Sequence, residues 1–174
     1  DELPPHPDDY ARIIEEELKG TELTLILEPG RVIVGNSGIF VTKLLYIKKV
    51  PGKTFYIVDG AMNDLVRPSL YGAFHEIVSV RYNDAKKINI DVVGPVCESG
   101  DFLAKDRDMP LVESGELLAV LSAGAYGFSM SSNYNSRRRV AEVLVRDAEF
   151  NVIKSRETLK DLIKGEKIPS FMEV

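Results

Sequence analysis

The feature that most constrains this chain is a succession of short strand-like runs between Phe40 and Lys154. Phe40–Val50, Thr54–Val58, His75–Arg81, Lys87–Val93, Leu117–Leu121, Arg139–Arg146 and Asn151–Lys154 each carry an apolar or alternating pattern rich in β-branched residues. Pro51-Gly52, Asn83-Asp84 and Gly115 separate several of them. Strands at short regular spacing predict a mainly β fold, an antiparallel barrel or sandwich. With 174 residues, 44% of them hydrophobic, the chain can fill one packed core of that kind.

The first forty residues have a different texture. Pro4, Pro5 and Pro7 predict a linker over residues 1–7. Asp8 or Asp9 is the expected cap of a helix over Tyr10–Lys19, with Ile13, Ile14 and Leu18 on one face and Gly20 as its stop. Leu23-Thr-Leu-Ile-Leu27 follows, the form of a strand buried on both faces, and it ends in Glu28-Pro-Gly-Arg31. A helix feeding such a strand, with polar residues at its carboxyl end, is the pattern of one unit of an α/β barrel. At the other end, Ser155–Ile163 reads as a helix capped by Ser155 and stopped by Gly165.

Charge and composition exclude some functions. The 22 basic and 27 acidic residues give a net charge of −5, which does not suit gripping nucleic acid by its phosphates. Arg137-Arg138-Arg139 is too short for a nucleic-acid patch and reads as a solvated face or an ion pair at an interface. No apolar run reaches the ~20 residues of a membrane-spanning helix. A single cysteine cannot form an internal disulfide, which predicts a reducing, cytoplasmic setting. The acidic, proline-rich start is unlike a signal peptide, and the chain is expected to be the later part of something longer.

Four stretches carry candidate chemistry. Glu28-Pro-Gly-Arg31 stands where a barrel strand delivers side chains to a site: Glu28 can hold a proton on a heterocyclic nitrogen, Gly30 lets backbone N–H groups approach a phosphate, and Arg31 offers a fork for a carboxylate or phosphate. An ordinary charged turn has the same sequence. Arg67-Pro-Ser-Leu-Tyr71 lies in a long excursion between strands; Pro68 is expected to hold Arg67 extended, and Tyr71 can turn its hydroxyl to the same ligand group. A surface arginine beside a half-buried tyrosine is the plainer alternative. Cys97, the only thiol, is followed directly by Glu98 on a loop bounded by Pro95 and Gly100. Taken alone it reads first as a small buried hydrophobe and second as a proton-transfer site. Ser122–Arg137 is rich in small residues, which allow close approach of backbone to a ligand, and Tyr126 adds a ring or hydroxyl. The alternative there is a flexible loop. His75 reads as a structural hydrogen-bonding residue.

Together, Glu28-Pro-Gly-Arg31, Arg67-Pro-Ser-Leu-Tyr71-Gly-Ala, Cys97-Glu-Ser-Gly-Asp101 and Gly124-Ala-Tyr126-Gly, in this order, resemble the carboxyl-terminal half of the fold type III pyridoxal-phosphate decarboxylases, in the branch acting on meso-diaminopimelate. The resemblance covers the chain from about Leu23 to the last helix. It implies a β-domain of the alanine racemase type over residues 36–174, preceded over residues 1–35 by the last helix and strand of a barrel that binds pyridoxal 5'-phosphate. It also implies a carboxy-lyase that converts meso-2,6-diaminopimelate to L-lysine and CO2. The lysine that carries the cofactor belongs to the early barrel and is not in this sequence, so the fragment alone is expected to be inactive.

The roles the resemblance implies are specific. Glu28 pairs with the cofactor's ring nitrogen, and Gly30 and its backbone help hold the phosphate. Arg31, Arg67 and Tyr71 bind the carboxylate that is kept. Cys97 is the acid that protonates the carbon CO2 leaves, Glu98 meets the distal ammonium, and Tyr126 touches cofactor and substrate. No metal is implied. Cys97 and Glu98 are implied to cross a two-fold interface, so that a homodimer builds each site. Arg138 departs from the proline expected after Asn-Ser-Arg. Two other readings stay open: a decarboxylase for a related basic amino acid of the carboxynorspermidine, arginine or ornithine type, and a β-domain without chemistry of its own.

Overall fold

The computed structural model describes residues 5–81 and 84–172. The helix α1 spans Pro7–Leu18 and begins three residues earlier than expected. Pro7 takes the first helical position, where a missing N–H costs nothing, and His6 is the cap: its Nδ1 accepts from the Asp8 N–H at 3.3 Å. Residues 1–4 of the expected linker, with Asn83 of an expected turn, lie outside the described residues. α1 buries no residue, and no helix among the described residues is long and apolar enough to cross a membrane.

Six strands make one sheet: β1 (Phe40–Val50), β2 (Lys53–Val58), β3 (Ile77–Ser79), β4 (Lys87–Val93), β5 (Phe102–Pro110) and β6 (Leu117–Val120). Their order is β3-β6-β1-β2-β4-β5. All pairings are antiparallel except β2 with β4. The two ends of that order, β3 and β5, come into contact, so the sheet curls into a nearly closed barrel. A separate hairpin pairs β7 (Glu142–Arg146) with β8 (Glu149–Lys154). The mainly β expectation holds, and β1 and β4 have the predicted bounds.

The core follows from the period of two. Thr42 and Leu44 of β1 point inward while Val41, Lys43 and Leu45 face out. They meet Tyr56, Val58, Ile90, Val92, Leu103, Leu118 and Val120, all fully buried. Tyr56 carries its hydroxyl into this interior because partners wait there: it donates to the Pro110 carbonyl at 3.3 Å and accepts from the Val112 N–H at 3.4 Å. Lys53 at the start of β2 links it to β4 and β5, bonding Asp91 at 2.8 Å and Asp106 at 2.6 Å.

Three expectations are corrected, and one strand, β5, was not among those expected. Leu23–Leu27 forms no ladder; Leu23 and Ile26 are exposed, because no strand edge of this chain lies beside them. β5 was hidden by Lys105, Asp106, Arg107 and Asp108, which break its alternation, and Asp106 bulges with a φ of 52°. Arg67 is helical rather than extended: α2 (Arg67–Tyr71) starts on it, and Pro68 sits within the first turn, where proline is tolerated. The last helix, α3 (Leu159–Leu162), is capped by Thr158 in a capping box with Asp161, so Ser155 plays no part in it.

Candidate functional site

The crossover from β2 to β3 and the chain leaving β6 lie together on one side of the sheet. Asp59 ends β2 and anchors the first: Oδ1 accepts from Thr42 Oγ1 at 2.7 Å and from the Lys43 N–H at 2.8 Å. Arg137 then stitches the two segments. Its Nε donates to Asn63 Oδ1 at 2.8 Å, one Nη donates to the Asp59 carbonyl, and it stands 3.6 Å from the Asp64 carboxylate. Asn63 and Ser132 exchange two more bonds. Burial pushes the Asp64 carboxyl upward, against the bonds from the Ala61 N–H and Arg137 that hold it down. Arg139 is likewise internal, bonding Glu157 at 2.9 Å and Asn133 at 2.7 Å. Two of the three consecutive arginines therefore build the loop layer within the chain.

This frame brings four of the predicted residues to one place. Gly30 lies against Tyr126, whose hydroxyl would stand 3.2 Å from a Cβ at that glycine. The Arg67 guanidinium sits 5.7 Å from the Tyr126 ring centre, within reach of a cation–π contact. Arg31 and Arg67 are both near enough to His75 to oppose its protonation. Tyr126 holds a φ of 60°, a left-handed backbone that a tyrosine adopts only under constraint. The approach of the 30–38 segment depends on small residues: the Gly124 N–H bonds the Gly35 carbonyl at 3.0 Å, and a Cβ on Gly124 would collide with the Val34 carbonyl.

Arg67 carries the strongest mark of a binding site. It is 9% exposed, and its Nε is buried without a hydrogen-bond partner. A cation with an orphaned donor beside an exposed ring is prepared for an anion. Behind it His75 Nδ1 is 2.9 Å from the Leu121 carbonyl, which makes that nitrogen the donor. Burial first, then Arg67 and Arg31, hold the His75 ring below its usual pKa and therefore neutral. It is the structural residue expected.

The remaining residues stand on exposed backbone. Glu28 and Tyr71 are exposed and make no side-chain hydrogen bond or ion pair. Cys97 is exposed too, which removes the buried-hydrophobe reading of it. Glu98 accepts from the Gly100 N–H and from Tyr134 Oη, each at 3.3 Å, and its charge beside the phenol raises the Tyr134 pKa. An open groove of about 300 Å3 runs alongside, lined in part by Val96, Glu98, Asp101 and Lys105. A groove of about 430 Å3 between Phe74, Arg107 and Met109 contains none of the predicted residues. Sequence reasoning passed over Asn63 and Tyr134 and read Arg137 only as one of a run of cations; polar loop residues like these show no pattern until the loops are brought together.

Residues 16–124 match the family described as pyridoxal-dependent decarboxylase, C-terminal sheet domain. This chain belongs to that decarboxylase family. It is 55% identical to the diaminopimelate decarboxylase of Pseudomonas aeruginosa over 168 residues, 97% of this chain and 40% of that protein. Among solved structures, the diaminopimelate decarboxylase of M. jannaschi superposes with a TM-score of 0.92 at 36% identity, covering 99% of this chain and 41% of that one. The Helicobacter pylori enzyme, solved as a complex with L-lysine, superposes with a TM-score of 0.85 at 46% identity, covering 94% and 40%. The chain thus spans about 40% of the length of the decarboxylases it matches. The family's name implies pyridoxal phosphate, and the residues present fit such an anionic group: the Arg31 fork, and the Gly30 backbone, which lies beside Tyr126.

Proposed function

We propose that this chain is the carboxyl-terminal part of a pyridoxal-phosphate-dependent diaminopimelate decarboxylase, which converts meso-2,6-diaminopimelate to L-lysine and CO2. Residues 1–35 then belong to the end of the cofactor-binding barrel and residues 36–174 to the β-domain. The observation that carries this reading is the buried, unpartnered Arg67 Nε beside Tyr126 and the Gly30–Arg31 turn. It is what recognition of a second carboxylate requires, and that carboxylate distinguishes diaminopimelate from the basic amino acids.

In this reading Arg67 and Arg31 clamp the carboxylate that is kept, with Tyr71 adding its hydroxyl. A charge-assisted bond of this kind contributes about 1.5–3 kcal/mol, enough to separate substrates with and without the group. Gly30 and its neighbouring N–H groups receive the cofactor phosphate. Glu28 keeps a proton on the cofactor's ring nitrogen, and Tyr126 closes over cofactor and substrate. When bound, pyridoxal phosphate supplies the electron sink for the pair left behind as CO2 departs. Cys97 donates its thiol proton to that same carbon, and its exposure suits a group that must reach a ligand. Glu98 receives the distal ammonium. Cys97 and Glu98 act in the site of a second copy, so the enzyme is a homodimer, and it works in the cytoplasm.

The test uses the complete enzyme. Cys97→Ala is expected to lower kcat by about 10²–10⁴-fold with KM little changed, the mark of an interaction made only in the transition state. Equal losses in binding and turnover would count against the acid role. Glu98→Gln, assayed on diaminopimelate, ornithine and arginine, reads the distal ammonium; a variant that prefers a substrate without the second carboxylate would overturn the choice of substrate.

A further inference from the structure

The exposed loop from Gly94 to Asp101 has few holds, and one side chain makes the most consequential. The loop's neck is closed by the Gly94 N–H on the Asp101 carbonyl, at 3.1 Å, and by the Asp101 N–H on the Glu98 carbonyl, at 3.0 Å. The Asp101 side chain turns inward and is 4% exposed. Its Oδ2 accepts from the Val96 N–H at 2.7 Å, and its Oδ1 accepts from the Met62 N–H at 2.7 Å. Among the described residues no Lys, Arg or His forms an ion pair with it. Two short backbone bonds carry the charge instead.

We propose that Asp101 is a positioning residue: its carboxylate sets the Cys97–Glu98 loop in register with the segment that delivers Arg67. The functional consequence rests on the decarboxylase reading above, whereas the clamp itself rests on geometry alone. An aspartate that merely closes a turn bonds within its own loop, as Oδ2 does with Val96. Oδ1 goes further and takes the N–H of a residue 39 positions away, in the stretch running from Asp59 to α2. Two glycines leave the room this needs. A Cβ on Gly94 would overlap the carboxylate, and one on Gly100 would come within 2.7 Å of Ser69 Oγ, two residues past Arg67. The acid loop and α2 are therefore packed together, and Asp101 is the charge-assisted bond from that loop to the segment leading into α2.

The two sides of the clamp are not equally firm. The Met62 side is tied down independently: Ala61 N–H bonds Asp64 Oδ2 at 3.0 Å, and Arg137 holds Asp59 and Asn63. The Cys97 side has only weaker holds beyond its own turn, chiefly the exposed 3.3 Å bond from Tyr134 Oη to Glu98. Loosening the clamp displaces Cys97, and Glu98 with it, and leaves the arginine in place, so turnover falls more than binding does. Asparagine keeps the shape of aspartate and only one acceptor oxygen, so Asp101→Asn leaves either Met62 or Val96 facing an amide NH2.

In the complete enzyme, D101N is expected to lower kcat by about 10–100-fold, the scale of an ångström's misplacement, with KM raised by a smaller factor than kcat falls, through Glu98. Hydrogen exchange should quicken in peptides covering 60–64 and 94–100 and stay unchanged in β1 and β6. Exchange quickened throughout the sheet, or a KM that rises in step with the loss of kcat, would overturn the positioning role. Exchange also separates this proposal from the one beneath it. If the wild-type enzyme does not decarboxylate diaminopimelate, slow exchange at both Val96 and Met62 still supports the clamp. If D101N fails to fold, wild-type exchange decides: protection of both amides supports the clamp, and loop-like exchange at either overturns it.

Discussion

Leu23-Thr-Leu-Ile-Leu27 and Leu117-Leu-Ala-Val120 are nearly the same kind of text, short apolar runs that read equally well as buried strands. In the structure they are opposites. The second is β6, paired with β1 on one edge and β3 on the other, with Leu118 and Val120 fully buried. The first pairs with nothing, and Ile26 is 84% exposed. An apolar run records a readiness to be covered; the hydrogen-bonded neighbours on each edge decide whether it becomes a strand. β6 has its neighbours within residues 40–120. Under the proposal above, the partners of 23–27 are other strands of the barrel.

That contrast can be broken or sharpened by substitution. The largest effect is expected at Leu118→Ala, which empties space between β1 and β3: about 2–5 kcal/mol of stability lost, read by urea titration. A loss below 1 kcal/mol would mean that β6 does not anchor the core. Next comes Arg137→Met, which strips the stitching of the loop layer after β6 and leaves Asn63 and the buried Asp64 underpaired. About 1.5–3 kcal/mol is expected, with the sheet's own exchange protection retained.

A third probe is pH, read at the end of β6. Native His75 is neutral and its pKa is lowered, chiefly by burial, from 6.5. Below 6.5 the unfolded chain takes up a proton that the folded chain refuses. Stability should therefore fall as pH drops from 6.5 toward the lowered native pKa. His75→Asn retains an N–H for the Leu121 carbonyl and removes the titration, so its stability should vary less across that window. An unchanged slope would show that other groups set it. The smallest effect is expected at Ile26→Ser in the isolated 174-residue chain, within about 0.5 kcal/mol, as for an exposed side chain. A loss comparable to that of Leu118→Ala would show that the run is covered after all. In the complete enzyme the same substitution should cost more, since the proposed barrel buries it.

What could be read from sequence divides along similar lines. β1 and β4 were legible because alternation and turn residues agree at both ends. β5 was not, because four charged residues in succession, with a bulge at Asp106, break the alternation by which a strand is read. Pro68 predicted an extended Arg67, a local preference that the first turn of α2 overrides. The site residues were legible as residue types and as a resemblance. Their meeting was not: the approach of Tyr126 to Gly30, the orphaned Arg67 Nε and the second bond of Asp101 all depend on which distant segments the fold packs together, which no local sequence pattern marks.

The left-handed turn at Tyr126 sets durability against service. A tyrosine there holds a conformation that costs about 1–2 kcal/mol and that glycine would take freely. Variants chosen for surviving heat should drift toward glycine at this position, and variants chosen for speed should keep the ring.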